Sequence, residues 1–312
     1  MEEKIFHLKD GRKLGFIEYG KNDGIPVMIF HGTPGSKIWF RKDDEIAKEL
    51  GLRLISTDRP GFGTSDPNKN RTLLDWPNDV KELANGLGIE RFSVLGVSGG
   101  GAYAAACAYQ IPERIDHVSM ISSVAPFKNG KPPKSMIKEN RIAFSLGKYA
   151  PWLVKLSYQS QKKMIEQKPE RFIEAMKKGN KHLNEWDRKY IQTDDQIKDM
   201  MAHLLGAFRI RVDGIVEEIK LITKPWGFEF EKIQMPVHIW HGKEDGMAPF
   251  EEIEKVSKEI PISITHFVSK AGHFLIDDET IWRSVLEQIK EDHLLFVGKE
   301  GLISSKNRKI LV

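Results

Sequence analysis

Ser98 lies in a segment whose residue types and spacing are typical of a catalytic nucleophile. The apolar run Phe92 to Val97 reads as a buried strand, and the glycine-rich stretch after it begins a helical pattern. Gly96 and Gly100 stand two residues on either side of Ser98, in the pattern Gly-x-Ser-x-Gly. Glycine is expected at both positions because a strand and a helix that meet in such a tight turn leave no room for a Cβ atom. The turn would project the serine hydroxyl above the sheet.

Three further loops follow apolar, strand-like runs and supply the other groups that a serine nucleophile needs. His31-Gly32-Thr33-Pro34-Gly35-Ser36 follows the first run, and such a loop can direct backbone N–H groups at a developing oxyanion. His241-Gly242-Lys243-Glu244-Asp245 follows another run and presents Asp245. Ala271-Gly272-His273 follows the last run. The chain order is therefore Ser98, Asp245, His273, which differs from the orders in chymotrypsin and subtilisin.

With these motifs in this order, the chain from about residue 4 to about residue 295 resembles the α/β-hydrolase fold family, in its lidded serine esterase-like branch. Asp58-Arg59-Pro60-Gly61-Phe62-Gly63-Thr64-Ser65 adds to the likeness, since it looks like the loop after the fourth strand. The resemblance implies Ser98 as nucleophile, His273 as general base and then acid, and Asp245 as the group that orients the imidazole. It also implies oxyanion donors at the backbone N–H groups of Thr33 and Gly99.

Rival residues exist for two of these roles. Glu244 and Asp277 lie near Asp245 in the sequence, but the Gly-x-x-Asp pattern favours Asp245. His31 and His241 precede glycines at strand ends, where the family resemblance implies structural supports. The resemblance makes Asp58 a loop organiser, bonded to the backbone or to an arginine such as Arg59. Six further histidines match no motif and are expected at the surface or in the core: His7, His117, His182, His203, His266 and His293.

Other chemistries find little support. A dinucleotide-binding fingerprint would need glycine where Ser98 stands, and the glycines are not followed by the Gly-Lys-Ser/Thr of a phosphate loop. A zinc site is not expected, because there is no His-Glu-x-x-His and only one cysteine. Cys107 lies three turns into the helix after Ser98 and reads as a small buried hydrophobe. We therefore expect neither a cofactor nor a metal.

The pattern of elements predicts an α/β fold with a mostly parallel sheet flanked by helices. Strands alternate with helices up to a strand at Val118 to Val124, and the first two strands form an antiparallel edge hairpin. From 127 to 225 the strand pattern gives way to helical spacing, which the resemblance implies is a cap inserted after strand six. The core would comprise 1–126 and 226–295, with a closing helix from Glu279 to Leu295. The role of the tail, 296–312, stays open.

Composition sets further bounds. The 312 residues are 40% hydrophobic and 29% charged, as in ordinary globular proteins. The N-terminus lacks the apolar run of a secretory signal, and a single cysteine permits no disulfide framework, so a cytoplasmic location is expected. The longest charge-free stretch, Phe92 to Pro112, contains three consecutive glycines and reads as a strand and helix rather than a membrane span. Oligomeric state is not predicted.

The predicted cap is basic, with 21 Lys and Arg against 12 Asp and Glu, whereas the rest of the chain has 27 against 32. This excess indicates either attraction of anionic substrates or a solvated outer face of amphipathic helices. The lysines are spread out and lack the interleaved aromatics of a nucleic-acid binder. Four aromatic residues are expected to line the substrate pocket: Trp152, Tyr158, Trp186 and Trp226.

The function predicted from these observations is hydrolysis of a small carboxylic ester through an acyl-enzyme. An aspartate nucleophile, as in epoxide hydrolases and haloalkane dehalogenases, conflicts with Ser98. Amide hydrolysis such as iminopeptidase activity, C–C bond hydrolysis and cofactor-free perhydrolysis share the same three residues and stay open. So does a role as a small-ligand sensor or stress-pathway partner.

Overall fold

A computed structural model describes residues 2–127 and 130–308, with side chains described as far as residue 296. Within these residues, eight strands form one sheet in the order β1-β2-β4-β3-β5-β6-β7-β8. The strands are β1 (Lys4–His7), β2 (Lys13–Gly20), β3 (Ile25–Phe30), β4 (Leu52–Thr57), β5 (Phe92–Val97), β6 (Ile115–Ile121), β7 (Val237–Gly242) and β8 (Ser263–Val268). All neighbours are parallel except that β2 runs antiparallel to both β1 and β4. The predicted mostly parallel sheet and its antiparallel edge hairpin are confirmed.

Helices cover both faces of this sheet, which explains why the central strands are continuous apolar runs. The helices of this layered core are α1 (Asp44–Leu50), α2 (Trp76–Gly86), α3 (Gly100–Gln110), α10 (Phe250–Glu259) and α11 (Glu279–Arg308). Trp76 of α2 and the alanine-rich α3 pack on one face, in a cluster that includes Phe30. Leu50 of α1 and Trp282 of α11 pack on the other face. The loops that carry Thr33, Ser98, Asp245 and His273 leave the sheet at the carboxyl ends of its parallel strands.

Between β6 and β7 the described residues form helices joined by loops and no strand; residues 128 and 129 lie outside the described residues. This helical insertion comprises α4 (Lys138–Tyr149), α5 (Pro151–Gln167), α6 (Pro169–Gly179), α7 (Glu185–Arg188), α8 (Asp194–Ala207) and α9 (Asp213–Ile222). It has its own apolar core, in which Phe172, Ile197, Phe208 and Ile215 are buried. A helical region after strand six was predicted, and it is present.

Two boundaries differ from the prediction. β6 begins at Ile115 and ends at Ile121, because Ser122 takes a left-handed backbone conformation (φ 44°) and turns the chain away from the sheet. The closing helix does not end at Leu295 but continues to Arg308, through most of the predicted tail. Residues 309–312 lie outside the described residues. Within the part of the chain that is described, no helix is both long enough and apolar enough to cross a membrane.

Candidate active site

Ser98 occupies a sharp turn between β5 and α3. Its backbone is left-handed, with φ of 53°, a conformation that costs a non-glycine residue free energy and is usually kept for function. A Cβ at Gly96 would lie 2.2 Å from the carbonyl oxygen of Gly100, and one at Gly100 would lie 2.2 Å from the carbonyl oxygen of Phe30. Only glycine fits at either position, so these two residues allow the turn that raises Ser98 above the sheet.

His273 and Asp245 reach Ser98 from two separate loops. The Nε2 atom of His273 lies 3.1 Å from the Ser98 hydroxyl oxygen. Its Nδ1 atom lies 2.7 Å from Oδ2 of Asp245. These three side chains, which the sequence suggested as nucleophile, base and acid, therefore form one continuous series of hydrogen bonds. Neither sequence rival takes the place of Asp245: Asp277 accepts a hydrogen bond from Lys42 at 2.6 Å.

Backbone groups fix the orientation of Asp245. Its Oδ1 atom accepts hydrogen bonds from the N–H groups of Met247 and Ala248, each at 2.8 Å. This leaves Oδ2 directed at His273. The neighbouring His241 lies with Nε2 2.8 Å from the carbonyl oxygen of Ala248, to which it donates. His241 is fully buried and therefore supports the turn, as the sequence suggested.

The charge of Asp245 prepares His273 to accept a proton. Burial by itself would lower the pKa of His273, but the negative charge and the hydrogen bond of Asp245 outweigh this and raise the pKa above its ordinary value. The imidazolium that forms when Ser98 loses its proton is therefore stabilised. A hydrogen-bonded carboxylate also fixes the tautomer, so that Nδ1 carries the proton and Nε2 faces Ser98 as a base.

Thr33 and Gly99 face each other beside Ser98. A Cβ on Gly99 would lie 3.5 Å from the backbone nitrogen of Thr33. Within the described residues, neither of these two backbone N–H groups donates to a protein acceptor. Both are available to an oxygen atom that develops negative charge near Ser98, which is the arrangement an oxyanion requires.

A buried ion pair holds the loop that carries Thr33, here called the Thr33 loop (residues 31–36). Arg59 donates hydrogen bonds to the backbone carbonyls of His31 and Gly32, and its guanidinium pairs with Glu218. The Glu218 carboxylate also accepts a hydrogen bond from the Thr33 hydroxyl at 2.6 Å. Arg59 and Glu218 are both fully buried. Of the two partners expected for Asp58, the backbone is the one found: its carboxylate accepts from the backbone N–H groups of Lys37 at 2.9 Å and Thr64 at 3.0 Å. It also pairs with the Lys37 side chain, at 2.5 Å, and not with Arg59.

Glu218 is a residue that the sequence analysis missed, and it lies on α9 of the helical insertion. Its second carboxylate oxygen accepts from Tyr103 at 2.8 Å and pairs with Arg71 at 3.1 Å. Burial alone would raise the pKa of Glu218, but the two arginines lower it to about 2, so the carboxylate is ionised. One sequence signal could have pointed to Glu218. It lies three residues after Ile215 and four before Ile222, which places it on the same helical face as these two apolar residues.

Two more residues of the insertion hold the other catalytic loops. Asp187 accepts the backbone N–H of Phe274, the residue after His273, at 2.9 Å. Asn184 donates to the backbone carbonyl of Glu244, the residue before Asp245, at 2.7 Å. Burial raises the pKa of Asp187 to about 6. The helical insertion thus contacts the loops of Thr33, Asp245 and His273 through polar side chains.

A cavity of about 340 Å³ contains Ser98 and His273. Most of its apolar wall comes from the helical insertion and from Ile137, the residue before α4. The insertion residues in this wall include Met176, Leu183, Ile191, Met200 and Leu204. Its further polar side chains include Asn140, Asn180, His182 and His203. Among the described residues that line it, none is Lys, Arg, Asp or Glu. The cavity therefore suits an uncharged, largely apolar molecule.

His203 stands in the wall between this cavity and a neighbouring one of about 420 Å³, which lacks Ser98 and His273. Its ring stacks on Trp39, with centroids 4.6 Å apart. Burial and the charge of Lys42 lower the pKa of His203 to about 3, so the ring is neutral near pH 7. It can give or take a hydrogen bond without adding charge to the cavity.

None of the four aromatic residues expected to bind substrate lines the cavity that contains Ser98. Trp152, at the start of α5, is 62% exposed. Tyr158 packs against Phe208 inside the insertion. Trp186 packs against the apolar cluster of the core, and the Trp226 indole donates to the carbonyl of Ile222. Three of the four aromatic residues pack inside the insertion or at its junctions with the core, and Trp152 is exposed, so aromatic type did not identify the cavity wall.

One group of metal-type ligands comes together away from this cavity. His117, His238 and Asp292 have ligand atoms that all lie within 4.8 Å of one another. His117 and His238 stand near the amino ends of β6 and β7, whereas Ser98 follows the carboxyl end of the parallel strand β5. This group is therefore separate from Ser98, Asp245 and His273.

Comparison with known proteins gives a consistent fold assignment. The sequence profile of the alpha/beta hydrolase fold matches residues 25–280. A proline iminopeptidase from Xylella fastidiosa (strain 9a5c) is 34% identical over 118 residues, which are 36% of this chain and 37% of that protein. A non-heme chloroperoxidase from Streptomyces lividans is 31% identical over 119 residues, 38% of this chain and 43% of that protein. The matched segments span less than half the length of these curated relatives.

A solved structure extends the likeness over the whole fold. The esterase EaEST from Exiguobacterium antarcticum superposes with a TM-score of 0.65 and covers 93% of this chain and 100% of that one. The sequence identity is 20%, so this likeness concerns the fold alone.

Proposed function

The chain belongs to the α/β-hydrolase fold family, and from this we propose that it is a serine hydrolase that cleaves a small carboxylic ester through Ser98, His273 and Asp245. The observation that carries the proposal is the unbroken series of contacts at the cavity. Ser98 Oγ lies 3.1 Å from His273 Nε2, and His273 Nδ1 lies 2.7 Å from Asp245.

Acylation begins when the Ser98 oxygen attacks the ester carbonyl carbon and His273 Nε2 takes the hydroxyl proton. The electron pair of the C=O π bond moves onto the carbonyl oxygen, which accepts hydrogen bonds from the N–H groups of Thr33 and Gly99. As the carbonyl re-forms, the bond to the alcohol oxygen breaks. The imidazolium of His273 gives its proton to that departing alcohol, and the acyl group stays on Ser98.

Deacylation repeats these steps with water as nucleophile. His273 takes a proton from water while the water oxygen attacks the acyl carbon, and it then returns the proton to Ser98 as the acid leaves. The Asp245 carboxylate stabilises the imidazolium in both halves of the reaction. The raised pKa of His273 fits a group that must hold this proton during each tetrahedral intermediate.

The cavity supports an uncharged substrate with a small apolar acyl or alcohol part. Its volume of about 340 Å³ lies at the low end for ligand pockets. An iminopeptidase substrate carries a cationic amine, which would need a carboxylate in the wall, and none is found among the described lining residues. An anionic substrate would likewise need lysine or arginine there. The basic excess of the insertion therefore suits a solvated outer face better than a substrate anchor.

We further propose that the helical insertion acts as a cap that selects the substrate. The chemistry comes from loops of the core, whereas most of the apolar cavity wall comes from the insertion. A change in the insertion wall should therefore alter which acyl group fits while Ser98 keeps its reactivity.

Labelling with a fluorophosphonate, followed by a series of p-nitrophenyl esters of increasing acyl length, tests the proposal. Ser98→Ala should abolish labelling and lower kcat by at least about a thousandfold, with the folded state retained. Ser122→Ala is the matched control, since Ser122 is also a left-handed serine directly after a parallel strand, and it should keep labelling and turnover. Turnover of the Ser98 variant within about tenfold of the wild type would reject the mechanism. Labelling without multiple turnovers would indicate a sensor rather than an enzyme.

A further inference from the structure

His117, His238 and Asp292 converge on a single carboxylate oxygen. Oδ2 of Asp292, on α11, lies 2.7 Å from Nδ1 of His117 and 3.0 Å from Nε2 of His238. The two imidazole side chains are 0% and 4% exposed, and the carboxylate side chain is 25% exposed. Two buried nitrogen atoms and one partly exposed carboxylate oxygen therefore lie within 4.8 Å of one another.

Rigid elements hold the two rings in place. His117 and Ser119 alternate along β6 and so point to the same face of the sheet. Ser119 pairs in register with His238 on the adjacent parallel strand β7, which brings His238 next to both of them. Helix α11 packs over this face and supplies Asp292. Ligands mounted on strands and on a packed helix are preorganised, which lowers the cost of assembling a site.

Each ring has a second partner that can either donate or accept a hydrogen bond. The outer nitrogen of His117, Nε2, lies 2.7 Å from the Ser119 hydroxyl. The outer nitrogen of His238, Nδ1, lies 3.1 Å from Nε2 of His266, whose ring stacks on Trp240. Histidines that bind metals are held in this way through their second nitrogen.

The consequence is that both rings can change tautomer without losing their outer hydrogen bonds. With no metal present, His117 and His238 carry their protons on the nitrogens that face Asp292 and accept from Ser119 and His266. If those protons move to the outer nitrogens, Ser119 and His266 become acceptors and the inner nitrogens present lone pairs. No proton needs to leave the group, and no buried outer nitrogen is left unsatisfied.

We propose that His117, His238 and Asp292 form a binding site for a divalent transition metal, with Zn²⁺ as the best fit. Imidazole and carboxylate are its common protein ligands, at about 2.0 to 2.2 Å. Tetrahedral binding at that range places ligand atoms about 3.3 Å apart, so the observed 2.7 and 3.0 Å contacts would need to open by about 0.6 and 0.3 Å. The two inner nitrogens, which lie within 4.8 Å of each other, would need to stand at the same separation of about 3.3 Å. The exposed side of Asp292 leaves the fourth position to water. Oxygen-preferring Mg²⁺ and Ca²⁺ are poor matches.

The bound ion would join α11 to β6 and β7, at the end of the strands away from Ser98. Because the ligands come together only in the folded chain, binding would add to the stability of the folded state. Metal binding would raise the unfolding temperature. The proposal does not depend on the proposed hydrolysis, so a failure of one leaves the other standing.

Metal binding is tested on the full chain after treatment with a chelator, by calorimetric titration with Zn²⁺ and by the visible absorption of Co²⁺ as a spectroscopic substitute. One equivalent should bind, Co²⁺ should give tetrahedral bands, and Zn²⁺ should raise Tm. His238→Gln should weaken binding by more than about 100-fold, and His266→Gln by about 10- to 100-fold. His293→Gln is the matched control, since His293 lies on the same helix and contacts a single carboxylate, Asp116, at 2.9 Å. It should bind like the wild type.

A second arm separates this site from the active site, where His241, Asp245 and His273 also offer nitrogen and oxygen ligands. Binding should persist in His273→Gln. If His238→Gln fails to fold, Asp292→Asn at the partly exposed ligand replaces it. Absence of stoichiometric binding, or binding lost in His273→Gln and kept in His238→Gln and Asp292→Asn, would overturn the proposal.

Discussion

The hydroxyl of Thr33 donates a hydrogen bond of 2.6 Å to the carboxylate of Glu218, and this contact joins the core to the helical insertion beside Ser98. Arg59 also links the core to the insertion: it pairs with Glu218 of α9 and donates hydrogen bonds to the backbone carbonyls of His31 and Gly32. The position of the Thr33 backbone N–H therefore depends on a side chain 185 residues away. Docking of α9 and the geometry of the proposed oxyanion site are coupled.

Glu218→Gln should lower kcat by about 100-fold or more with little change in KM, because one oxyanion donor contributes about 10² to 10³ in rate. It should also lower the free energy of unfolding by about 3 to 5 kcal/mol, since Arg59 and Arg71 lose their buried counter-charge. Affinity for an alkyl boronic acid, which mimics the tetrahedral intermediate, should fall in parallel with kcat/KM. Affinity for the carboxylic acid product should not.

Glu217→Gln provides the control for that change, because Glu217 is adjacent, exposed and paired only with Lys220 among the described residues. Where Glu218→Gln does not fold, the pair Thr33→Val and Thr33→Ser replaces it. Valine removes the contact with Glu218 and serine keeps it, so only valine should weaken boronate binding. Equal boronate affinity in all these variants would show that the ion pair serves stability alone.

Asp245→Asn should lower kcat by about 10⁴-fold, whereas Glu244→Gln should stay within about threefold of the wild type. An amide in place of the carboxylate can donate to Nδ1 of His273, which favours the tautomer whose Nε2 cannot act as a base. Steady-state kinetics on one p-nitrophenyl ester compare the two variants. A larger loss of kcat in Glu244→Gln than in Asp245→Asn would show that Asp245 is not the acid.

The acid limb of kcat/KM should have its midpoint above about 6.5, the ordinary value for histidine. His273 must be unprotonated to act as a base, and its pKa is raised, so activity rises with pH through that higher value. Asp187 contributes to this rise through its charge, and Asp187→Asn should therefore move the midpoint to lower pH. The exposed Glu185, on the same helix, provides the control variant Glu185→Gln. An unchanged midpoint in Asp187→Asn would contradict this electrostatic role.

Met176→Ala should shift the preferred ester toward longer acyl chains by about tenfold or more. Met176 lines the cavity, and each methylene that fits or fails to fit in an apolar pocket changes selectivity by about 10- to 200-fold. Trp152→Ala, at an exposed position outside the cavity, should leave the profile flat. The ratio of kcat/KM between short and long p-nitrophenyl esters measures both. A shift in Trp152→Ala without one in Met176→Ala would place the acyl site elsewhere.

Sequence alone determined the fold family and pointed to Ser98, Asp245 and His273 as candidates for hydrolysis. The strand and helix alternation, the Gly-x-Ser-x-Gly turn and the order of Ser98, Asp245 and His273 are local signals, because each loop follows its own strand. Parallel strands bring their carboxyl ends to one edge of the sheet, so the loops that carry these residues were expected to meet there.

Only the tertiary structure decided which distant residues touch. Helical spacing is expected throughout 127–225, but it does not say which residues of the core each helix touches, so Glu218 could not be connected to Arg59 from the sequence. Helical spacing indicates which face of a helix is buried and does not say what that face meets, so it does not separate a cavity wall from internal packing at residues such as Tyr158 and Trp186. The group of His117, His238 and Asp292 likewise joins two strands and a helix. Such contacts arise from packing between elements far apart in the chain, and no local pattern encodes them.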